Sequence, residues 1–451
     1  MDHNTEIFET MPVNRALAKL AVPTIISQLI TMIYNLADTF FVGQSNDPLK
    51  VAAVSVASVL FFLLTAWANL FGIGGGSLMS QLLGQKDEQG AKEVCAVSMY
   101  GTILISGIYA LLCFALRKPL LGLVGATENT IDYAVSYTLF AIVIGGIPAT
   151  MCMAMSHLLR NAGYARQAGF GVGMGGVLNI ALDPLFMFVI LPKGNEVAGA
   201  AIATMLSNTV AMTYCAVVFF RLRKRSVLSF SPHNAIRGVK RLGRILMIGL
   251  PSTVSSFLVS VTIMITNGLY ATYSDTAVAA NGIFKKLEML PLNVSVGLCQ
   301  GLIPLVAYNY AAGNHKRMTD AVRCARNAGL AFNLVCLVIF ELFASQIAGL
   351  FIDEPETVAL AATFVRIGFL VTPILFYNKK MCYTFQAMGS GGKSLLVTLC
   401  REGIFNIPVL FLMNAVFGMY GVAWTQIVAD GITLIISVFL YRSFVKKLKD
   451  I

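Results

Sequence analysis

Four polar residues interrupt long apolar stretches: Asp38, Asn179, Asp183 and Thr204. A carboxylate inside a bilayer costs roughly 2.5–3.5 kcal/mol on insertion scales, so it needs a compensating role. Asn179 precedes Asp183 by four residues, so on a helix the two share one face, a turn apart. Pro184 follows Asp183; lacking an N–H, it frees a carbonyl in the turn before it. If the three helices concerned reach one level, two carboxylates, an amide, a hydroxyl and a bare carbonyl meet there. Such an oxygen-rich set takes a hard cation or shares a proton, because two neighbouring carboxylates in a low dielectric cannot both stay ionised cheaply. The alternative is a hydrogen-bond network that only ties helices together.

Other charges fall in apolar surroundings too. Lys380 lies eleven residues before the polar break near residue 391 and Glu402 eleven after it, an equal depth in an antiparallel hairpin. Pairing of Glu402 with Lys380, or with Lys379, is therefore expected, since each alone would be costly. The lysines could instead snorkel to an interface. Glu341 and Arg366 straddle another turn, and Lys285 and Glu288 are spaced to share a helix face. His157 stands alone at the end of an apolar stretch, as a proton relay or as a satisfied interfacial histidine.

The elements that must position these groups are membrane helices. Of 451 residues, 57% are hydrophobic and 12% charged, with a mean hydropathy of +0.75. Apolar stretches of about 20 residues suffice to cross a hydrocarbon core roughly 30 Å thick as helices. Twelve spans are predicted: 18–42, 51–77, 93–116, 131–158, 167–191, 197–220, 245–272, 277–308, 322–345, 358–387, 394–416 and 419–442. The first follows a polar stretch with no cleavage signature and reads as retained. Asp38, four residues before the end of span one, is then ~6 Å deep; Asp183 is ~12 Å deep in span five and Thr204 ~10 Å deep in span six, all from the outer side.

Most of the 33 Lys and Arg fall at the termini and the even-numbered loops, whereas the odd-numbered loops hold Lys50, Arg117, Lys118 and Lys193. The positive-inside rule then places both termini in the cytoplasm. The same rule accounts for much of the +11 net charge; basic residues scattered through short loops do not make a nucleic-acid surface.

The chain also repeats itself. Pro23 recurs as Pro251, Val51-Ala-Ala as Val278-Ala-Ala, Gly163 as Gly389 and Asn179-Ile as Asn406-Ile, at shifts of 226 to 228 residues. Near the midpoint lies the one long basic connection. The expected division is a six-helix lobe over 1–221, a cytoplasmic linker over 222–244 and a second lobe over 245–451. Duplicated halves suit a substrate path between two rocking units. Pro23 is either a bending point or a proline placed near a helix start.

Several signals point away from enzymes. Gly171-Val-Gly-Met-Gly-Gly176 fits a dinucleotide fingerprint but follows no strand. Residues 389–394 end like a phosphate loop but carry Ala387 where its first glycine belongs. Asn293-Val-Ser295 lies within a span. Nine cysteines, none in C-x-x-C, read as small apolar residues.

The chain resembles the MATE (multidrug and toxic compound extrusion) family along nearly its whole length. The first span, LAVPTIISQLITMIYNLADTFFVGQ, looks like that family's first helix; Asn179-Ile-Ala-Leu-Asp183-Pro184 is the more specific match. Gly199-Ala-Ala-Ile-Ala-Thr204 and Val306-Ala-Tyr-Asn-Tyr-Ala-Ala-Gly-Asn314 resemble its sixth and eighth helices. The match is nearest the MepA/DinF-like branch. NorM-type members carry acids in helices seven and ten, but here span seven has none and span ten has Lys379 and Lys380.

The resemblance implies an all-α integral membrane protein with two pseudo-symmetric six-helix lobes forming a V. It implies antiport of amphipathic or cationic drugs against H⁺ or Na⁺ by alternating access, with no other cofactor. Asp38, Asn179, Asp183 and Thr204 would form the coupling site, with Asp38 and Asp183 as metal ligands if the ion is Na⁺. Gln28, Tyr34 and Asn35 are candidate polar lining of the drug cleft; Phe61, Phe62, Met153, Met155 and Met205 are candidate adaptable contacts. The expected setting is the bacterial inner membrane, as a monomer. The competing reading within the same superfamily is a flippase for lipid-linked precursors.

Overall fold

The computed structural model describes residues 3–45 and 47–449. The outermost ends of the expected lobes, residues 1, 2, 450 and 451, lie outside the described residues. The first half comprises α1 (His3–Glu9), α2 (Val13–Gly43), α3 (Pro48–Gly84), α4 (Glu88–Ala115), α5 (Arg117–Leu123), α6 (Ile131–Thr138), α7 (Gly146–Asn161), α8 (Ala165–Pro184) and α9 (Glu196–Leu222). The connection carries α10 (Pro232–Gly238). The second half comprises α11 (Leu242–Ala271), α12 (Asp275–Ala311), α13 (His315–Gly349), α14 (Pro355–Phe369), α15 (Thr372–Ala387), α16 (Gly391–Leu399) and α17 (Asn406–Lys449).

Among the described residues, nine helical stretches are long and apolar enough to cross a bilayer. Two more crossings are bent pairs: Ile131–Ile144 with Gly146–Asn161 at 49°, and Pro355–Phe369 with Thr372–Ala387 at 45°. The longest stretch, Gly391–Phe444, breaks at Gly418, whose φ of 60° and ψ of −143° suit only glycine, and so supplies two crossings. Twelve crossings result, as expected. Lipid-facing apolar side chains remain uncovered: Leu104, Leu111 and Leu112 on α4, and Leu334, Val338 and Leu342 on α13.

Local chemistry sets the helix ends. Asp47 accepts from Leu49 N at 3.0 Å to cap α3, and Asp87 accepts from Gly90 N at 2.8 Å to cap α4. The repeated glycines close the same turn in both halves. Gly163 and Gly389 have φ of +91° and +71°; each donates three residues back, and the following residue donates five back.

The halves join along the face that carries the termini. Ser77 donates to the Gln386 carbonyl at 2.8 Å and Gln81 to that of Ala387 at 2.9 Å. Gly249 lets α11 approach α3 so closely that a Cβ there would lie 1.9 Å from Leu70 O. α1 straddles the same seam. Arg317 of α13 donates to the carbonyls of Phe8 (2.7 Å), Ile7 (3.1 Å) and Met11 (2.6 Å). Glu9 meets Lys86, and the Tyr308 hydroxyl donates to Glu9 at 2.5 Å. This is the conformation closed on the terminus-bearing face.

Pro23 falls ten residues past the start of α2, and Pro251 is likewise inside α11. The helix-start alternative is therefore corrected: α2 begins at Val13, directly after Pro12, whose extended backbone (φ −49°, ψ 134°) marks the start, and Pro23 lies inside the helix.

Candidate functional site

In the first lobe the polar set converges as its helices bring it. Asn179 Nδ2 donates to Asp183 Oδ1 at 3.3 Å and lies 3.4 Å from Thr204 Oγ1. Asp183 is fully buried and Asn179 nearly so. Asp38, on α2, lies within electrostatic range of Asp183, and Tyr137 of α6 reaches Thr204. Three oxygens here are buried with no partner: Asp38 Oδ1, Asn179 Oδ1 and Asp183 Oδ2. No cationic side chain lies within ion-pair distance of either carboxylate among the described residues. After Pro184 the helix widens into a π-helical turn over Leu185–Ile190, the local response to a missing N–H.

Asn179 and Thr204 also form part of the wall of a cavity of about 210 Å³. Gln28, Tyr34, Asn35, Phe61, Phe62 and Met153 line it. Met155 and Met205 do not, and that expectation is corrected. Met155 sits two residues beyond Met153, turned away into the core of α7's packing; Met205 is one residue past Thr204, with its Cβ against Gly145. His157, buried in the cavity wall, faces a cation: Arg160 Nη1 is 3.2 Å from its Nδ1 and donates to Gln300 of the other lobe at 3.1 Å.

A second cavity, about 340 Å³, lies between the lobes and reaches Lys379, Arg401 and Glu402. Here the expected pairing is corrected. Glu402 pairs with its neighbour Arg401, not with Lys379 or Lys380. Arg401 Nε also donates to Asp430 Oδ1 at 2.7 Å, and Asn378 Nδ2 to the same oxygen at 2.9 Å. Lys380, 1% exposed, lies 4.0 Å over the Tyr377 ring instead. Equal depth fixes height, not the direction around each helix axis, and a π-helical turn over Cys400–Ile404 turns Arg401 onto both acids. Arg366 Nε approaches the Glu341 backbone carbonyl at 3.4 Å, and Lys285 bridges Glu288 at 2.7 Å.

Sequence reasoning passed over Arg401 and Asp430. The signal was present: each is a charge inside a predicted span, the same criterion that selected Asp38 and Asp183.

The MatE family pattern matches this chain twice, over residues 23–185 and 251–412. The chain is 29% identical over 433 residues to "Multidrug export protein MepA" of Staphylococcus saprophyticus, covering 96% of this chain and 94% of that protein. It is 27% identical to the MepA of Staphylococcus haemolyticus, covering 99% and 97%. Its fold is similar to a MATE crystallised in complex with MaL6 (TM-score 0.92, 23% identity, 100% of both chains). It is also similar to the Vibrio cholerae MATE transporter VcmN D35N mutant (TM-score 0.89, 23% identity, 96% of this chain and 97% of that one). The chain is a member of the MatE family.

Proposed function

We propose that the protein is a secondary multidrug exporter. It moves amphipathic or cationic drugs outward against H⁺ or Na⁺ by rocking its two lobes, as a monomer in the bacterial inner membrane with both termini cytoplasmic. Its membership in the family and its likeness to multidrug export proteins over nearly the full chain support the drug-export part. The observation that carries the coupling part is the set of three unpartnered buried oxygens on Asp38, Asn179 and Asp183, with no cation within ion-pair distance of the carboxylates among the described residues.

Asp183 and Asp38 accept the proton or ligate the ion, and Asn179 and Thr204 orient them. Because Asn179 and Thr204 belong also to the cavity wall, filling the oxygen cluster changes the surface that a drug meets. Ion entry and drug release are then linked through shared residues, and each must oppose the other by the same factor. Counterflow of a fluorescent cation in proteoliposomes, with H⁺ and Na⁺ gradients imposed separately, tests this reading. One gradient should accelerate release severalfold; transport indifferent to both would refute the coupling.

A further inference from the structure

The second lobe buries a cation that the transport reading does not use. Lys380 is 1% exposed, and no acid lies within ion-pair distance of it among the described residues. Its ammonium rests on the Tyr377 ring, and the neighbouring charge it meets is another cation, Arg326 of α13. Tyr377 in turn lies within range of Arg326 and of Arg442 on α17, and Tyr441 within range of Arg323 and Arg326. Tyr377, Tyr441 and Cys324 pack on one apolar core, so α13, α15 and α17 hold these groups together. The Phe385–Phe444 contact, with centroids 6.3 Å apart, fastens α17 to α15 beside them. The acid at the rim, Asp320, is 3.5 Å from Arg323 and offsets that one charge. Arg326 sits at the more exposed margin, where Asn327 Oδ1 accepts from its Nε at 3.1 Å and its Nη2 at 2.9 Å, so Lys380 is the buried member; a buried ammonium with no acid at hand requires an anion nearby or the loss of a proton.

Their level selects the anion. Arg323 and Arg326 lie roughly 12 and 16 Å along α13 from its start, while Lys380 and Arg442 lie roughly 10 Å from the ends of α15 and α17, counting about 1.5 Å per residue. All of these helix ends are on the terminus-bearing face. Basic pockets between membrane helices on that side suit phosphate-bearing headgroups, and flanking tyrosines suit the interface. We propose that the headgroup phosphate of an anionic phospholipid seats between α13, α15 and α17, held by Lys380, Arg326 and Arg442.

The test is thermal unfolding of the full-length protein in detergent, titrated with phosphatidylglycerol or phosphatidylcholine. Phosphatidylglycerol should raise the melting temperature by at least about 2 °C, saturably, as a ligand of the native state does, with phosphatidylcholine giving less. Arg326→Gln, on the more exposed rim, and Lys380→Met should each shrink that rise. Lys380→Arg should keep it, as should Arg237→Gln on the exposed linker helix. Native mass spectrometry of Arg326→Gln provides a second reading if Lys380→Met does not fold: lipid retention should fall severalfold. Equal effects of the two lipids on the wild type, or a full rise in Arg326→Gln, would overturn the proposal. So would an equal rise with inorganic phosphate, which would assign the site to a free anion. Failure of drug counterflow would leave this site untouched.

Discussion

The two lobes bury acids in opposite ways. In the first, Asp38 and Asp183 keep oxygens with no partner, and no cation lies within ion-pair distance of them among the described residues. In the second, Asp430 and Glu402 share the Arg401 guanidinium; Asn378 donates to the same Asp430 oxygen and Gln426 to the other. At the offset of 227 residues that relates Asn179 to Asn406, Asp38 faces Ile265 and Asp183 faces Leu410 in the other repeat. Conversely, Arg401, Glu402 and Asp430 correspond to Met174, Gly175 and Ala203. The scaffold is repeated but the charges are not. Under the proposed coupling, the first lobe takes its counter-ion from solution, while the second carries one covalently, and the first arrangement is the one that would report an ion gradient.

The sharpest way to break this contrast is to neutralise each side. Asp183→Asn should reduce gradient-driven export to the level of empty liposomes, with Asp38→Asn close behind, both at normal expression. Glu402→Gln should retain gradient dependence, and reversed outcomes would invert the assignment. The next effect concerns stability. Arg401→Met strands two buried acids, and breaking a buried pair in this way costs about 3–5 kcal/mol. Its unfolding midpoint should fall well below that of the wild type, and a double change with Asp430→Asn should recover part of the loss. Asn179→Ala removes one orienting donor, which should weaken the coupling ion's apparent affinity by roughly ten- to hundredfold, since a hydrogen bond to a charged group is worth about 1.5–3 kcal/mol.

The smallest expected effect lies at the seam. Glu9 is held below the ordinary carboxylate range, first by its hydrogen bond from Lys86 and then by that from Tyr308. A depressed carboxylate contributes to the closed face above its ordinary value of 4.5 and loses that contribution as pH falls through its lowered value. Spin-label distances across the terminus-bearing face should therefore be flat around neutrality and lengthen only in acid. Glu9→Gln should show the longer distance already at neutral pH.

The sequence made the twelve crossings legible, down to the break between residues 416 and 419 that Gly418 makes. The first-lobe cluster was legible because a charge in an apolar span is conspicuous and a spacing of four puts Asn179 beneath Asp183. Asp430 met the same criterion, yet its role depends on Arg401 reaching it from another helix, 29 residues away. The Lys380–Glu402 pairing failed because depth along two helices says nothing of the direction each side chain takes around its axis. Met155 and Met205 failed for the same reason, each one or two residues off the face that lines the cavity. The short helix α1, folded back over the seam, carries no periodicity long enough to read.

The most direct measurement counts cations released when a fluorescent cationic dye binds the purified protein, as protons by a pH indicator and as ²²Na⁺ by equilibrium dialysis. About one cation per dye is expected for the wild type and for Glu402→Gln, because ion and drug share the Asn179–Thr204 wall, and none for Asp183→Asn. Undiminished release from Asp183→Asn, or release lost in Glu402→Gln, would contradict the proposed coupling.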